Sequence, residues 1–419
     1  MKQWILGHLK RLRGNQRGHV AVTFAIACVP VLAFLGAATD YSMANKIRTK
    51  LILALDEAVL AGVAVGKAAL DSGANRDTAI AKAQDAATGY FVGNTSGLSA
   101  TPNITFQVSG RTLSATGSAT TAMKTYFMGL VGFPVMNLTV TSVSSATTQP
   151  YLNVYLLVDI SSSMLLPATP DGITQMRNGT GCALACHETT DGKDSYSYAL
   201  KKNVLLRYQV VNQGVQNLLN YLDSNSVYKN YVKVGLWAFD NQLTQMSSLT
   251  SNFASVASNF PAPGLAYDDA AAATPFDTLI DNFVSTVGSA GDGSTSANPQ
   301  KMLIIATDGV NDPTRAWTSQ TSLRSQVRVF NTAFCTTLKS RGVTVAIINT
   351  PYYPMTWDWG YNATLGQPGS LGGATRVDDI PIALKSCAGS NFLLASDVAT
   401  IQNSFTALFS KASPVRLTN

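Results

Sequence analysis

The stretch Tyr151-Leu-Asn-Val-Tyr-Leu-Leu-Val-Asp-Ile-Ser-Ser-Ser163 is a run of strand formers that ends in an acid and then in alternating hydroxyls. A buried strand that delivers Asp159, Ser161 and Ser163 onto one tight loop builds an oxygen-only cradle. Hard divalent cations prefer such cradles. From this strand onward, strand patterns alternate with helical ones, which predicts a parallel sheet covered on both faces. The predicted strands are 152–158, 232–239, 302–306, 343–349 and 391–394. The predicted helices are 198–222, 276–287, 323–339, 380–387 and 398–408. Leu303-Ile-Ile305 and Val345-Ala-Ile-Ile348 are apolar on both faces, as central parallel strands must be.

A doubly wound sheet binds ligands beyond the carboxyl ends of its strands. A second acidic signal, Thr307-Asp308-Gly309, follows the strand at 302–306. If the two strands are neighbours, Asp308 comes near the hydroxyl loop. Between them Ala273-Thr-Pro-Phe-Asp-Thr278 opens a helix, with Thr274 expected as N-cap and Pro275 as first helical residue. Asp240 also ends a strand and reads as a turn residue. Each piece alone is ordinary turn chemistry. The ordered set on an α/β pattern points to a metal site.

Asp-x-Ser-x-Ser, a later helix-opening Thr and Thr-Asp-Gly after a hydrophobic strand together resemble the von Willebrand factor A domain. The resemblance implies a metal-ion-dependent adhesion site, usually holding Mg²⁺, with Mn²⁺ or Ca²⁺ as alternatives. Asp159, Ser161, Ser163, Thr274 and Asp308 are the ligands it implies. One coordination position is left for an acidic group of a protein partner. Ser162 stands where members of that family commonly carry Gly. Thr274 lacks the usual Gly-Thr-x-Thr context, which leaves Thr278 as a rival.

The rest of the chain places this unit. The 419 residues exceed one ordinary core, so two or more units are expected. Of the net charge of +6, Lys2, Lys10, Arg11, Arg13 and Arg17 supply five, so the remainder is nearly neutral and no basic face for nucleic acid is expected. Residues 20–39 carry no charge and are long enough to cross a bilayer. A cleaved signal peptide is the competing reading, but the helical pattern continues past Asp40. The basic tail predicts a cytoplasmic N-terminus and a periplasmic bulk. The expected domains are a tail at 1–19, a transmembrane helix at 20–39, a pilin-like helix-plus-sheet module at 40–148, and the α/β domain at 149–413. Insertions fall at about 165–197 and 351–377. In the module Ile47, Leu51, Leu55, Val59 and Val63 recur every four residues, two segments alternate as strands, and 141–149 reads as a linker.

Gly18-His-Val-Ala-Val-Thr-Phe-Ala25, Asp40-Tyr-Ser42 and Leu53-Ala-Leu-Asp-Glu-Ala58 resemble the TadE/TadG-like start of tight-adherence pilus assembly proteins. With the α/β unit behind it, the chain is similar to a TadG-type protein nearly end to end. That implies an inner-membrane protein facing the periplasm and serving Flp pilus assembly or adhesion. Related pseudopilins are processed after Gly and carry Glu at the fifth position of the segment that follows. Here His19 follows Gly18 and Thr23 holds the fifth place.

Five cysteines remain to be placed. Cys28 lies in the apolar run. Cys182 and Cys186 predict a local disulfide, Cys335 and Cys387 a longer one, both suited to an exported domain. Cys186-His187 is one residue too far from Cys182 for covalent haem, and three ligands are too few for structural zinc. No Gly-x-Ser-x-Gly elbow or phosphate-binding Gly-x-x-x-x-Gly-Lys loop occurs. The sequence thus favours a binding protein over an enzyme. A pseudopilin-like structural subunit is the alternative, and a metal-assisted envelope enzyme a more distant one.

Overall fold

In the computed structural model, residues 19–184, 195–262, 273–313, 324–395 and 398–412 are described. The chain divides into two compact units, Met1–Thr148 and Gln149–Asn419.

The first unit is built on one 53-residue helix, α1 (His19–Asp71). Its apolar part is long enough to cross a membrane, and from Val20 to Leu35 it is almost wholly exposed. This fits a membrane anchor. Further along, Leu51, Leu55, Val59 and Val63 are buried against the second helix, α2 (Arg76–Asn94), and an antiparallel sheet. Asn75 caps α2 through a bond from the Thr78 amide. The sheet is β1 (Ala100–Ser109), β2 (Thr112–Lys124) and β3 (Val135–Thr147) in that order. The expected linker at 141–149 is thus corrected: its first seven residues are strand, paired to β2 along their length. The central β2 carries few bulky residues because α1 lies close. A Cβ on Gly117 would come within 2.8 Å of Val59 and 3.0 Å of Leu55.

The second unit is a mostly parallel sheet between two helical layers. Its strands are β4 (Leu152–Asp159), β5 (Val232–Phe239), β6 (Leu243–Thr250), β7 (Gln300–Thr307), a short pair β8 (Val310–Asn311) and β9 (Arg328–Val329), then β10 (Thr344–Asn349) and β11 (Phe392–Leu394). The main sheet runs β11-β10-β7-β4-β5-β6, with only β6 antiparallel. Alternate residues feed two cores. Tyr155, Leu157, Ile305 and Ile347 face a layer that includes α4 (Phe276–Val287), α5 (Ala333–Ser340) and α6 (Arg376–Ala388). Val154, Leu156, Ile304 and Ile348 face α3 (Arg207–Asp223) and α7 (Val398–Ala412).

From β4 the chain moves outward through β5 and β6, then returns to β7 on the other side of β4. The order therefore reverses between β4 and β7, and sheets of this kind bind ligands beyond the carboxyl ends of the strands at such a reversal. Two predicted helices need correction. Residues 198–222 hold the end of a short helix, Ser195–Lys201, and then α3, separated where Asn203 takes a positive φ of 55°. Of the predicted helix 323–339, Leu323 lies outside the described residues, 324–332 are irregular chain and β9, and only α5 is helical. Cys335 and Cys387, on α5 and α6, are joined by a disulfide with Cα atoms 5.5 Å apart. Cys182 is disulfide-bonded, while Cys186 and His187 lie outside the described residues.

Candidate functional site

The carboxyl ends of β4 and β7 bring together four of the five predicted ligands. Asp159 ends β4, and its Oδ1 accepts from the Ser161 amide at 3.0 Å and the Ser161 hydroxyl at 2.6 Å. The Ser161 and Ser163 hydroxyls are 3.0 Å apart. The Ser163 hydroxyl in turn donates to Asp308 Oδ2. Thr307 closes the ring by donating to Asp159 Oδ2 at 2.7 Å. Asp308 and Asp159 are each 1% exposed.

The Asp308 loop depends on Gly309, whose φ of +85° lies where side chains are strained. A Cβ there would also lie 2.7 Å from Ile380. The turn sends the Val310 amide back to Asp308 Oδ1 at 3.0 Å. Asn349, ending β10, ties the loop from the other side by donating to the carbonyls of Thr307 and Asp308 at 3.2 Å each.

Thr274 stands apart from these four. Its amide and carbonyl form an antiparallel bridge with Asp312, at 2.7 and 2.9 Å, and among the described residues no hydrogen bond joins its side chain to the cluster. This bridge corrects the expected cap. With its backbone held in a ladder, Thr274 stays outside the helix, Pro275 is the N-cap and Phe276 begins α4. The Asn311 side chain accepts from the Asp277 amide at 3.0 Å and satisfies a first-turn donor. Thr278 is exposed on the first turn. Asp240 accepts from the Gln242 amide at 3.0 Å in the turn to β6.

Two residues absent from the predicted set complete the cluster. Arg207, 1% exposed, opens α3 with its Nη1 3.6 Å from Asp308 Oδ2. It donates to the carbonyls of Pro351 at 2.9 Å and Ser163 at 3.4 Å. Its guanidinium lies 4.1 Å from the centre of the Tyr352 ring, and the Tyr352 hydroxyl donates to the same Asp308 oxygen at 2.7 Å. Both had a signal in the sequence. An arginine in the first turn of a helix opposes the helix dipole, and one set between Leu205-Leu206 and Val210-Val211 needs a buried anion. Tyr352 lies just past β10, where the chain leaves the carboxyl edge of the sheet.

Two carboxylates against one guanidinium leave a buried site with a formal charge of −1. Burial first, and then the charge of Asp308, raise the Asp159 pKa to about 7. The same two causes push the Tyr352 hydroxyl well above the ordinary tyrosine range. Arg207 Nε and Asn349 Oδ1 are buried without a hydrogen-bond partner among the described residues. Both adjoin Asp308, so the cluster is not fully satisfied by its own groups. The donor set is entirely oxygen, with excess negative charge, and this fits a hard divalent cation.

Residues 18–70 match the family described as "Putative Flp pilus-assembly TadE/G-like". The matched segment is nearly coextensive with α1. No curated protein matches the chain. Among solved structures, proximal thread matrix protein 1 from the mussel byssus is 15% identical, with a TM-score of 0.35 over 63% of this chain and 49% of its own. The chain thus spans about half the length of that protein. The pilus adhesin SpaC from Lactobacillus rhamnosus GG is 12% identical, with a TM-score of 0.35 over 75% of this chain and 35% of its own. The PilB minor pilin from Streptococcus sanguinis is 9% identical, with a TM-score of 0.34 over 75% and 78%. Overlaps at this level leave function to the residues themselves.

Proposed function

We propose that this chain is a membrane-anchored protein of tight-adherence (Flp) pilus assembly or adhesion that captures a protein partner through a cation-dependent site. The α/β unit would then be a von Willebrand factor A-like domain held on the periplasmic side of the inner membrane by residues 20–39. The Tad family match over the long helix and the basic tail before it support the placement. The binding reading rests on one observation, the convergence of Asp159, Ser161, Ser163 and Asp308 at the switch point of the sheet.

Asp159 and Asp308 would supply the charge that holds Mg²⁺, or Mn²⁺ or Ca²⁺ in its place, and Ser161 and Ser163 neutral oxygens. Thr274, on the neighbouring loop, would be the remaining ligand. When bound, the cation would offer a coordination position to an acidic group of the partner. Tyr352 and Arg207 hold Asp308 in place, and Arg207 offsets part of its charge. The affinity for a cation is therefore set against an internal competitor. A capture role needs no acid–base pair, in keeping with a non-enzymatic protein.

Crosslinking in intact cells tests the reading. The full-length chain should yield a crosslinked partner that is lost in Asp159→Ala and on chelation of divalent cations. A partner retained equally in both conditions would sink the cation-dependent mechanism.

A further inference from the structure

The loop between β2 and β3, residues 125–134, presents an apolar surface that none of the described residues of the first unit covers. Leu130 is 84% exposed, and Tyr126, Phe127, Val131, Phe133 and Val135 are exposed as well. Open apolar patches of this kind mark an interaction surface. The loop is nevertheless held firmly. Its base is closed by the Thr125 amide to the Pro134 carbonyl at 3.1 Å and by the Thr125 hydroxyl to the Phe133 carbonyl.

Its anchor is Asp40, 1% exposed on α1. The carboxylate accepts from three consecutive amides, Tyr126 and Phe127 at 2.9 Å and Met128 at 2.7 Å. Beneath it Gly36 makes room, since a Cβ there would lie 2.5 Å from the Phe127 Cβ. Asp40 is the first charged residue after the uncharged run 20–39, and Gly36 lies in the last turn of that run. The loop therefore touches the helix on both sides of the point where it stops being apolar.

We infer that this loop is a membrane-interface element that rests in the headgroup region beside the anchor helix. The inference relies on the proposed anchor, because whatever solvates the apolar run up to Thr39 also reaches a loop fastened at Gly36 and Asp40. Its composition suits that depth: Tyr and Phe rings favour the boundary between acyl chains and water, with Leu130 and Val131 entering the apolar side. Lys124, exposed at the edge of the loop, can extend its ammonium to lipid phosphates while its stem stays apolar. Two attachments, one spanning and one interfacial, would restrict the tilt and rotation of the first unit on the membrane.

The test uses the full-length chain in phosphatidylethanolamine/phosphatidylglycerol vesicles with and without brominated acyl chains. Leu130→Trp is compared with Val143→Trp, an exposed position on β3 eight residues past Val135. Emission of the unsubstituted chain is subtracted. Leu130→Trp should lose most of its added emission to the brominated lipid, and Val143→Trp should lose little. Equal quenching at the two positions overturns the inference. So does a blue-shifted Leu130→Trp emission that bromine leaves untouched, which would assign the patch to a second copy of the chain. Flotation after an alkaline wash reads the anchor separately. A chain that floats with Leu130→Trp unquenched fails only the loop inference, whereas a chain that does not float fails the anchor and the loop together.

Discussion

Asp40 in the first unit and Asp159 in the second are both buried to 1% exposure, yet they are satisfied in different ways. Asp40 receives three backbone amides. Asp159 receives one amide and two hydroxyls, from Ser161 and Thr307, and faces a second carboxylate across Ser163. An amide can only donate, so the Asp40 contact has one state and works as a pin. A hydroxyl that donates to a carboxylate can turn and offer its lone pairs to a cation instead. The Asp159–Asp308 cluster is built from groups that can change role, while the Asp40 cluster is not. The same residue type, equally closed to solvent contact, thus serves fastening in one unit and is suited to exchange in the other.

The largest effect expected from breaking this contrast comes from Asp308→Ala. It would strand Arg207 as a buried cation without its anion, and removing one partner of a buried pair typically costs about 3–5 kcal/mol. Urea unfolding of the full chain in detergent, followed by tryptophan emission, should register this in the second unit, where Trp237 is packed. A loss under about 1 kcal/mol would mean that Arg207 is balanced by something other than Asp308. Asp40→Ala should cost less, because it leaves amides rather than an ion unsatisfied. Its effect should be local, with faster hydrogen exchange at the amides of Tyr126, Phe127 and Met128 and unchanged exchange in β4 and β7. Global destabilisation in its place would show that the Asp40 contact is more than a fastening.

Which parts were legible in the sequence follows from the physics of each element. The strands β4 and β5 and the helix α4 stand out because a central parallel strand must be apolar on both faces and an amphipathic helix must repeat every three to four residues. The β6 segment, Leu-Thr-Gln-Met-Ser-Ser-Leu-Thr250, is an edge strand, only Ser247 of it is buried, and it lacks that signature. The β2 strand, Thr112–Lys124, hides for another reason. Its inward positions are mostly small because the helix lies against them, so the apolar face alternates with Ser and Thr but carries little hydrophobic weight. In the site, the loop residues Asp159, Ser161, Ser163 and Asp308 are readable because each follows a recognisable strand. Arg207 and Tyr352 come from a helix start and an irregular segment, and only the sheet order brings them to Asp308. Thr274 was misread as a cap because its bridge to Asp312 is a tertiary contact with no local trace.

The central claim, that the Asp159–Asp308 cluster takes up a divalent cation, is tested most directly by thermal unfolding of the full chain in detergent against Mg²⁺ or Mn²⁺. Cation binding favours the ionised Asp159. Its pKa of about 7, raised by burial and by Asp308, means that a proton must leave when binding occurs below that pH. The account predicts a saturable rise in the unfolding temperature at pH 8, with the apparent affinity falling as pH drops below about 7 by at most about tenfold per unit. Asp159→Ala should abolish the rise. No cation-dependent rise in the unsubstituted chain, or the same rise in Asp159→Ala, would contradict it.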